Sequence, residues 1–214
     1  LSAKELLERE GFMVRLDSHS PGEAELGEML KEVDAIGIRS KTQLTRAFLE
    51  AQTNLQVVGA FCIGTDQVAT GAANQLGVPV FNAPYSNTRS VAELVIAEIV
   101  ALARQLGDRS MKAHQGMWQK SADGSHEIRG KTLGIVGYGH IGSQVSVLAE
   151  AFGMRVVYFD IVKKLPLGNS QPCEKLEHLL AQADFVSLHV PDTAQTRHML
   201  ATQQFRMMKK GAHL

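Results

Sequence analysis

Ten consecutive residues constrain the fold more than any other part of the sequence: Leu133-Gly134-Ile135-Val136-Gly137-Tyr138-Gly139-His140-Ile141-Gly142. An apolar run of strand length feeds directly into the triplet Gly137-x-Gly139-x-x-Gly142. The segment behind it carries Val145, Leu148, Ala149 and Phe152, spaced i, i+3, i+4, i+7, which is one face of a helix. A second strand, Arg155 to Phe159, then ends on Asp160, 23 residues after the first glycine. Each part has a physical reason. Gly137 allows the tight turn, Gly139 lets backbone approach a pyrophosphate, and Gly142 lets helix pack on strand. The amides opening the helix hold the diphosphate. The Asp160 carboxylate accepts hydrogen bonds from ribose hydroxyls and repels a 2′-phosphate. Glycine triplets alone are weak evidence, but strand, triplet, amphipathic helix, strand and terminal acid together predict a dinucleotide site.

Around this unit, apolar runs of strand length alternate with helical segments, so the chain reads as α/β with parallel sheets. Ser2 with Glu5 forms a capping box for a first helix, followed by a strand-like Phe12 to Leu16. Ser20-Pro21-Gly22-Glu23 reads as a second helix start. Further strands are expected at Ala35–Arg39, Gln56–Phe61 and Val78–Phe81, with helices at Thr45–Ala51 and Gln67–Leu76. Ser90 with Glu93 reads as another capping box, opening a long helix to Leu106. Its apolar positions (Val91, Leu94, Val95, Ile99, Val100, Leu102) cover more than one stripe, so it should lie between domains or subunits. Two doubly wound parallel-sheet units result, with a boundary near residue 87. Residues 1–86 form a flavodoxin-like substrate-binding unit that opens on a helix, as if its first strand were missing. Residues 87–214 form a Rossmann NAD-binding unit lacking its C-terminal half. In that unit, Phe185–Leu188 reads as the third strand, and a fourth opens at Ala212-His213-Leu214.

Composition excludes several function classes. The 22 Lys plus Arg balance 22 Asp plus Glu, so this is neither a basic nucleic-acid-binding domain nor an acidic tail. The longest apolar stretch, Leu94 to Ala103, is short and broken by Glu98, so no membrane span is expected. Cys62 and Cys173 have neither redox nor metal-ligand spacing, which suits a reducing cytoplasm and no metal. The first 86 residues hold 7 basic and 11 acidic side chains, leaving 15 and 11 for the remainder. That asymmetry fits solvated helices, or a second unit that meets an anion.

Other candidates sit where strands should end. Arg39-Ser40-Lys41 closes a strand, and two cations there can meet an anionic substrate or simply line a solvated turn. Phe61-Cys62-Ile63-Gly64-Thr65-Asp66 is a second strand-to-helix turn, whose amides at Ile63 and Gly64 suit a carboxylate. Lys120, in the loop after the long helix, is a further candidate for the same anion. Cys62 reads as a packed thiol. His189, followed by Val190-Pro191, ends a strand facing the cofactor crevice, and His140 lies inside the glycine turn. The other histidines (His19, His114, His126, His178, His198, His213) read as surface or packing residues with no carboxylate partner.

In this order, Arg39-Ser40-Lys41-Thr42, Phe61-Cys62-Ile63-Gly64-Thr65, Asn82-Ala83-Pro84, Gly116-Met117-Trp118-Gln119-Lys120, the glycine turn, Lys164-Leu165-Pro166-Leu167-Gly168-Asn169 and Leu188-His189-Val190-Pro191 resemble the D-isomer-specific 2-hydroxyacid dehydrogenases, and within them the phosphoglycerate branch. The resemblance implies oxidation of 3-phosphoglycerate to 3-phosphohydroxypyruvate with NAD, the first step of serine synthesis. It implies a substrate phosphate at Arg39, Lys41 and Lys120, and a substrate carboxylate near Ile63 and Gly64. It places His140 and Ile141 at the diphosphate, Asp160 at the ribose, and His189, Val190, Pro191 and Thr196 beside the cofactor. A homo-oligomer, a dimer or tetramer, is expected, with the broad apolar face of the long helix as its contact. The family's catalytic Arg, Glu and His are expected beyond Leu214, so no catalytic residue is assigned and the 214 residues alone should be inactive. Two alternatives stand beside this reading: a relative acting on glyoxylate, hydroxypyruvate or erythronate 4-phosphate, and a non-catalytic NAD-binding corepressor dimer.

Overall fold

The computed structural model describes residues 2–214, which divide into two compact units, one ending at Ser86 and one beginning at Asn87. The first unit carries α1 (Ala3–Arg9), α2 (Glu23–Met29), β1 (Ala35–Ile38), α3 (Arg46–Ala51), β2 (Val57–Ala60), α4 (Thr70–Gln75) and β3 (Val80–Asn82). The three strands pair in parallel in the order β1-β2-β3, with Ile38 opposite Ala60 and Ala60 opposite Asn82. Parallel pairing is forced by the helices between strands, which return the chain to the same edge. Ile36, Ile38, Val58 and Ala60 join Phe48, Leu49 and Ala73 in one buried core.

Local signals in this unit meet mixed outcomes. The Ser2–Glu5 capping box forms in both directions, at 2.8 and 3.2 Å. Thr45 caps α3 by accepting the Phe48 amide at 3.1 Å. The expected strand over Phe12–Leu16 is irregular coil, because no described strand lies beside it to pair its backbone groups. Ser20 does not cap α2; its hydroxyl meets Thr42 Oγ1 at 3.2 Å, and Gly22 stands at the N-cap without a side-chain bond. Residues 67–69 are not helical, since Val68 bridges Leu44 and the helix starts only at Thr70. His19 has the carboxylate partners not foreseen for it: its Nδ1 contacts Asp17, and its Nε2 lies 3.1 Å from Glu25 Oε1.

The second unit carries α5 (Thr88–Ala103), α6 (Leu106–His114), β4 (Thr132–Val136), α7 (His140–Ala151), β5 (Arg155–Phe159), β6 (Gln171–Pro172), α8 (Leu176–Gln182), β7 (Phe185–Leu188) and α9 (Thr202–Met207). All strand pairs are parallel, in the order β6-β5-β4-β7. Numbered within the unit this is 3-2-1-4, the Rossmann order. The two-residue β6, held by Gln171 opposite Val157, makes Phe185–Leu188 the fourth strand rather than the third. Every residue of β4 is buried, and its side chains alternate between two cores. Leu133 and Ile135 pack with Ile96 and Ile99 of α5 and Val145 and Ala149 of α7, while Val136 packs with Leu179, Leu180 and Val186. Helices on both faces explain a strand that is apolar throughout.

The long helix differs from its expected form. Asn87 precedes it without a side-chain cap, and Glu93 pairs with Arg89 at 2.6 Å instead of reaching back to Ser90's amide. It ends at Ala103, because Gln105 adopts a left-handed φ of 54° and turns the chain into α6. Ala92, Ile96, Ile99 and Ala103 form its buried stripe, and Leu94 and Leu102 are exposed. No helix among the described residues is long and apolar enough to cross a membrane.

Candidate dinucleotide site

The three glycines between β4 and α7 serve three different steric needs. Gly137 has φ +93°, and a Cβ there would stand 2.4 Å from the His189 carbonyl oxygen. The register opposing Val136 to Leu188 produces this approach, and the His189 amide donates to Val136 O at 2.7 Å. Gly142 lies in the first turn of α7, where a Cβ would stand 2.2 Å from Gly137 O and 3.0 Å from Ile135 Cγ2. Gly139, the N-cap of α7, has nothing within 4 Å of its Cβ position. The open space over Gly139 adjoins the amides of Ile141 and Gly142, which precede the first intrahelical bond, made by Ser143 to Gly139 O at 2.9 Å. An uncovered backbone, a helix start and positive dipole density together fit an anionic diphosphate.

Asp160 follows β5 at the same edge. Its Oδ2 accepts the Tyr138 amide at 2.8 Å, and its Oδ1 accepts the Val162 amide at 2.8 Å. The carboxylate is thus oriented by the glycine turn itself, and each oxygen keeps lone-pair capacity for a ribose hydroxyl. His189 is half-buried, with Nε2 2.9 Å from Ser187 Oγ. Burial pushes its pKa below the usual histidine value, so it stays neutral beside the turn. Val190 also touches the Gly137 position, its Cγ1 3.0 Å from a Cβ placed there. Thr196 uses its hydroxyl on its own loop, donating to Pro191 O at 2.5 Å and accepting the Thr193 amide at 2.9 Å. Gly137, Gly139, His140, Ile141, Gly142, Asp160, His189 and Val190 are therefore gathered at one edge of the sheet. Thr196 instead shapes the loop leaving it.

Sequence reasoning missed what lies beneath. Tyr138, which the glycine pattern treats as filler, is buried, stacks on Tyr158 with ring centroids 3.8 Å apart, and bonds Ser146 and Ser170. A tyrosine inside a glycine turn, with two serines following at helical and loop positions, was the available signal. A large cleft of this unit, about 820 Å³, lies at the opposite, amino end of the strands, lined by Lys131, Asp184 and His213 among others. None of the glycine-turn residues line it.

In the first unit, parallel register brings the carboxyl ends of β1 and β2 side by side, and with them Arg39-Ser40-Lys41 and Ile63-Gly64. Arg39, Ser40 and Lys41 are exposed, and neither cation makes an ion pair among the described residues. The second turn is held firmly: Asn82 Nδ2 donates to Ile63 O at 2.7 Å, Cys62 Sγ to Gly64 O at 3.3 Å, and Gln67 Nε2 to Cys62 Sγ at 3.1 Å. Those bonds make Cys62 a structural thiol. Asp66 adds a negative charge there, with Oδ1 2.5 Å from the Cβ position of Gly64. Lys120 belongs to the second unit, in the loop after α6, where Arg109 and Lys112 tie the neighbouring Gln119 at 3.0 and 2.7 Å. No group of three His, Cys, Asp or Glu side chains among the described residues is arranged to hold a metal.

Residues 96–214 match the family model described as D-isomer specific 2-hydroxyacid dehydrogenase, NAD binding domain. The whole chain aligns with the D-3-phosphoglycerate dehydrogenase of Dictyostelium discoideum at 51% identity over 214 residues, covering 53% of that protein. D-3-phosphoglycerate dehydrogenase 1 of Saccharomyces cerevisiae is 54% identical over 209 residues, 98% of this chain and 45% of that one. The chain therefore spans about half the length of these relatives. Among solved structures, the D-lactate dehydrogenase of Aquifex aeolicus complexed with NAD and lactic acid superposes with a TM-score of 0.79. It is 29% identical, over 86% of this chain and 56% of that one.

Proposed function

This chain belongs to the D-isomer specific 2-hydroxyacid dehydrogenases, and on that basis we propose that the protein oxidises 3-phosphoglycerate to 3-phosphohydroxypyruvate with NAD. The observation that carries the substrate is the exposed pair Arg39 and Lys41, without ion-pair partners among the described residues, at the carboxyl edge of the first sheet. It occurs in a chain that shares half its residues with relatives bearing that name. Arg39 forks onto the substrate phosphate, and Lys41 adds a point charge. The Ile63 and Gly64 amides take the carboxylate, where the two cations outweigh Asp66. Lys120, on the second unit, is a further cation proposed for binding a substrate anion.

When bound, NAD supplies the hydride acceptor. Its diphosphate would be held by the first-turn amides of α7, at His140 and Ile141, and Asp160 would accept hydrogen bonds from the ribose hydroxyls. Asp160 also disfavours a 2′-phosphate by charge repulsion. His189, neutral and bonded to Ser187, adds no charge to the turn, and the His189-Val190-Pro191 segment would wall the cofactor, with Thr196 holding that segment through its bond to Pro191 O. No described residue is assigned as the base that takes the hydroxyl proton. Two free thiols suit the cytoplasm. The exposed apolar positions of α5 suit a homo-oligomer, a dimer or tetramer.

The test is NADH absorbance on mixing full-length protein, NAD and 3-phosphoglycerate. Turnover with 3-phosphoglycerate supports the reading. Turnover only with an unphosphorylated 2-hydroxy acid would reassign the substrate, and none with any 2-hydroxy acid would refute it.

A further inference from the structure

Residues 161–169 contain no helix or strand, and Ile161 and Leu165 are 89% and 87% exposed. A segment so poor in apolar contacts would be expected to move. Yet it is tied at four points. Val162 N donates to Asp160 Oδ1 at 2.8 Å, and Tyr158 OH donates to Lys164 O at 2.9 Å. Leu167 N reaches Ser170 Oγ at 3.0 Å and Tyr138 OH at 3.3 Å, and Asn169 Nδ2 donates to Met154 O at 3.0 Å.

The centre of these ties is the buried Tyr138 hydroxyl, 2.8 Å from Ser146 Oγ on α7 and 2.9 Å from Ser170 Oγ at the end of the segment. Ser146 and Ser170 are also nearly inaccessible, at 2% and 4%. Their own hydrogens are directed to Ser143 O at 2.7 Å and Leu167 O at 2.6 Å. The Tyr138 hydrogen is then the one left to serve both serine oxygens. Three buried hydroxyls in mutual contact form a network in which each bond depends on the others. The same residue also touches the cofactor side, because the Tyr138 amide holds Asp160 Oδ2 while its hydroxyl holds the segment whose Val162 amide clamps Asp160 Oδ1.

We propose that Tyr138 is a positioning residue for the ribose of the dinucleotide: its hydroxyl, through Ser146 and Ser170, fixes the 161–169 segment and so keeps both oxygens of Asp160 in one orientation. The inference rests on the NAD reading above. Tyr138→Phe keeps the ring stack on Tyr158 and the amide bond to Asp160, and removes only the hydroxyl. It therefore loosens Asp160 from one side.

Calorimetric titration of the full-length protein with NAD and NADP should compare wild type, Tyr138→Phe, Asp160→Ala and the double variant, with hydrogen exchange followed at 161–169. Tyr138→Phe should weaken NAD about fivefold, the effect of one net hydrogen bond, and narrow its preference over NADP. Exchange at 161–169 should quicken, and the double variant should bind NAD no more weakly than Asp160→Ala alone, because the two act through one carboxylate. A role confined to stability would lower the melting temperature and leave the NAD to NADP ratio unchanged. That ratio unchanged, or the two losses multiplying in the double variant, overturns the inference. If Tyr138→Phe does not fold, Ser170→Ala carries the same expectations, and the same results would overturn them. Wild-type protein that binds no NAD would overturn the cofactor reading, and this inference with it.

Discussion

Gly142→Ala and Gly139→Ala should separate the two uses of the glycine turn. Helix propensity alone favours alanine over glycine at position 142 by about 1 kcal/mol. The structure predicts the opposite sign. A Cβ at Gly142 would stand 2.2 Å from Gly137 O and 3.0 Å from Ile135 Cγ2, and the first of these is backbone that no rotamer change can clear. Gly137 cannot yield toward β7, since its own Cβ position is 2.4 Å from His189 O. Forcing one extra carbon into a site costs about 1–3 kcal/mol, and a clash this deep with backbone belongs to the upper part, about 2–3 kcal/mol, so Gly142→Ala should lose roughly 1–2 kcal/mol net after the propensity gain. At Gly139 no atom lies within 4 Å, so stability should change by less than about 1 kcal/mol, the scale of an N-cap preference. There the added methyl occupies space assigned to the diphosphate, and NAD affinity should fall at least about tenfold, the equivalent of 1.4 kcal/mol. Urea unfolding and NAD titration of each full-length variant measure both quantities. A Gly142→Ala protein as stable as wild type, or a Gly139→Ala protein with unchanged NAD affinity, would refute the reasoning.

Other outcomes follow from single contacts. Arg39→Ala should raise the KM for 3-phosphoglycerate about ten- to a hundredfold, from a charge-assisted bond of roughly 1.5–3 kcal/mol, and leave NAD affinity alone; an unchanged KM would return Arg39 to the solvent. Burial would raise the Asp184 pKa, but the Thr132 amide at 2.7 Å and Lys209 at 3.1 Å outweigh it and hold the carboxyl below its usual value. Its stabilisation is therefore complete above about pH 4 and disappears as pH falls through the lowered value. Asp184→Ala should cost about 1 kcal/mol at pH 7, discounted for partial exposure, and the gap to wild type should close in acid unfolding curves; a gap independent of pH would contradict the assignment. Sedimentation should find the full-length protein oligomeric, with Leu94→Glu shifting it toward monomer, since Leu94 is an exposed apolar position of α5. A wild-type monomer would remove α5 as a subunit contact.

Features whose causes lie within about one turn or one strand are legible in the amino-acid order alone. The strand–glycine–helix unit, the acid ending β5, the parallel α/β alternation, the cap at Ser2 and the helix start at Thr45 belong to this group, because each rests on neighbours a few residues away. The remaining features were settled by contacts between distant segments or by competition among local partners. Phe12–Leu16 looks like a strand by composition and is none, because strandness requires a partner that local pattern does not supply. Glu93 had Arg89 within reach on the same helix face, and that pairing replaced the cap expected at Ser90. The two-residue β6 is too short to carry any periodicity and exists only through its pairing with β5. The reason Gly137 must be glycine includes a carbonyl at position 189, and the role of Tyr138 depends on a hydroxyl at position 170. Contacts across about 30 to 50 residues of chain are set by how sheet register and helix packing bring distant segments together, and no local pattern encodes them.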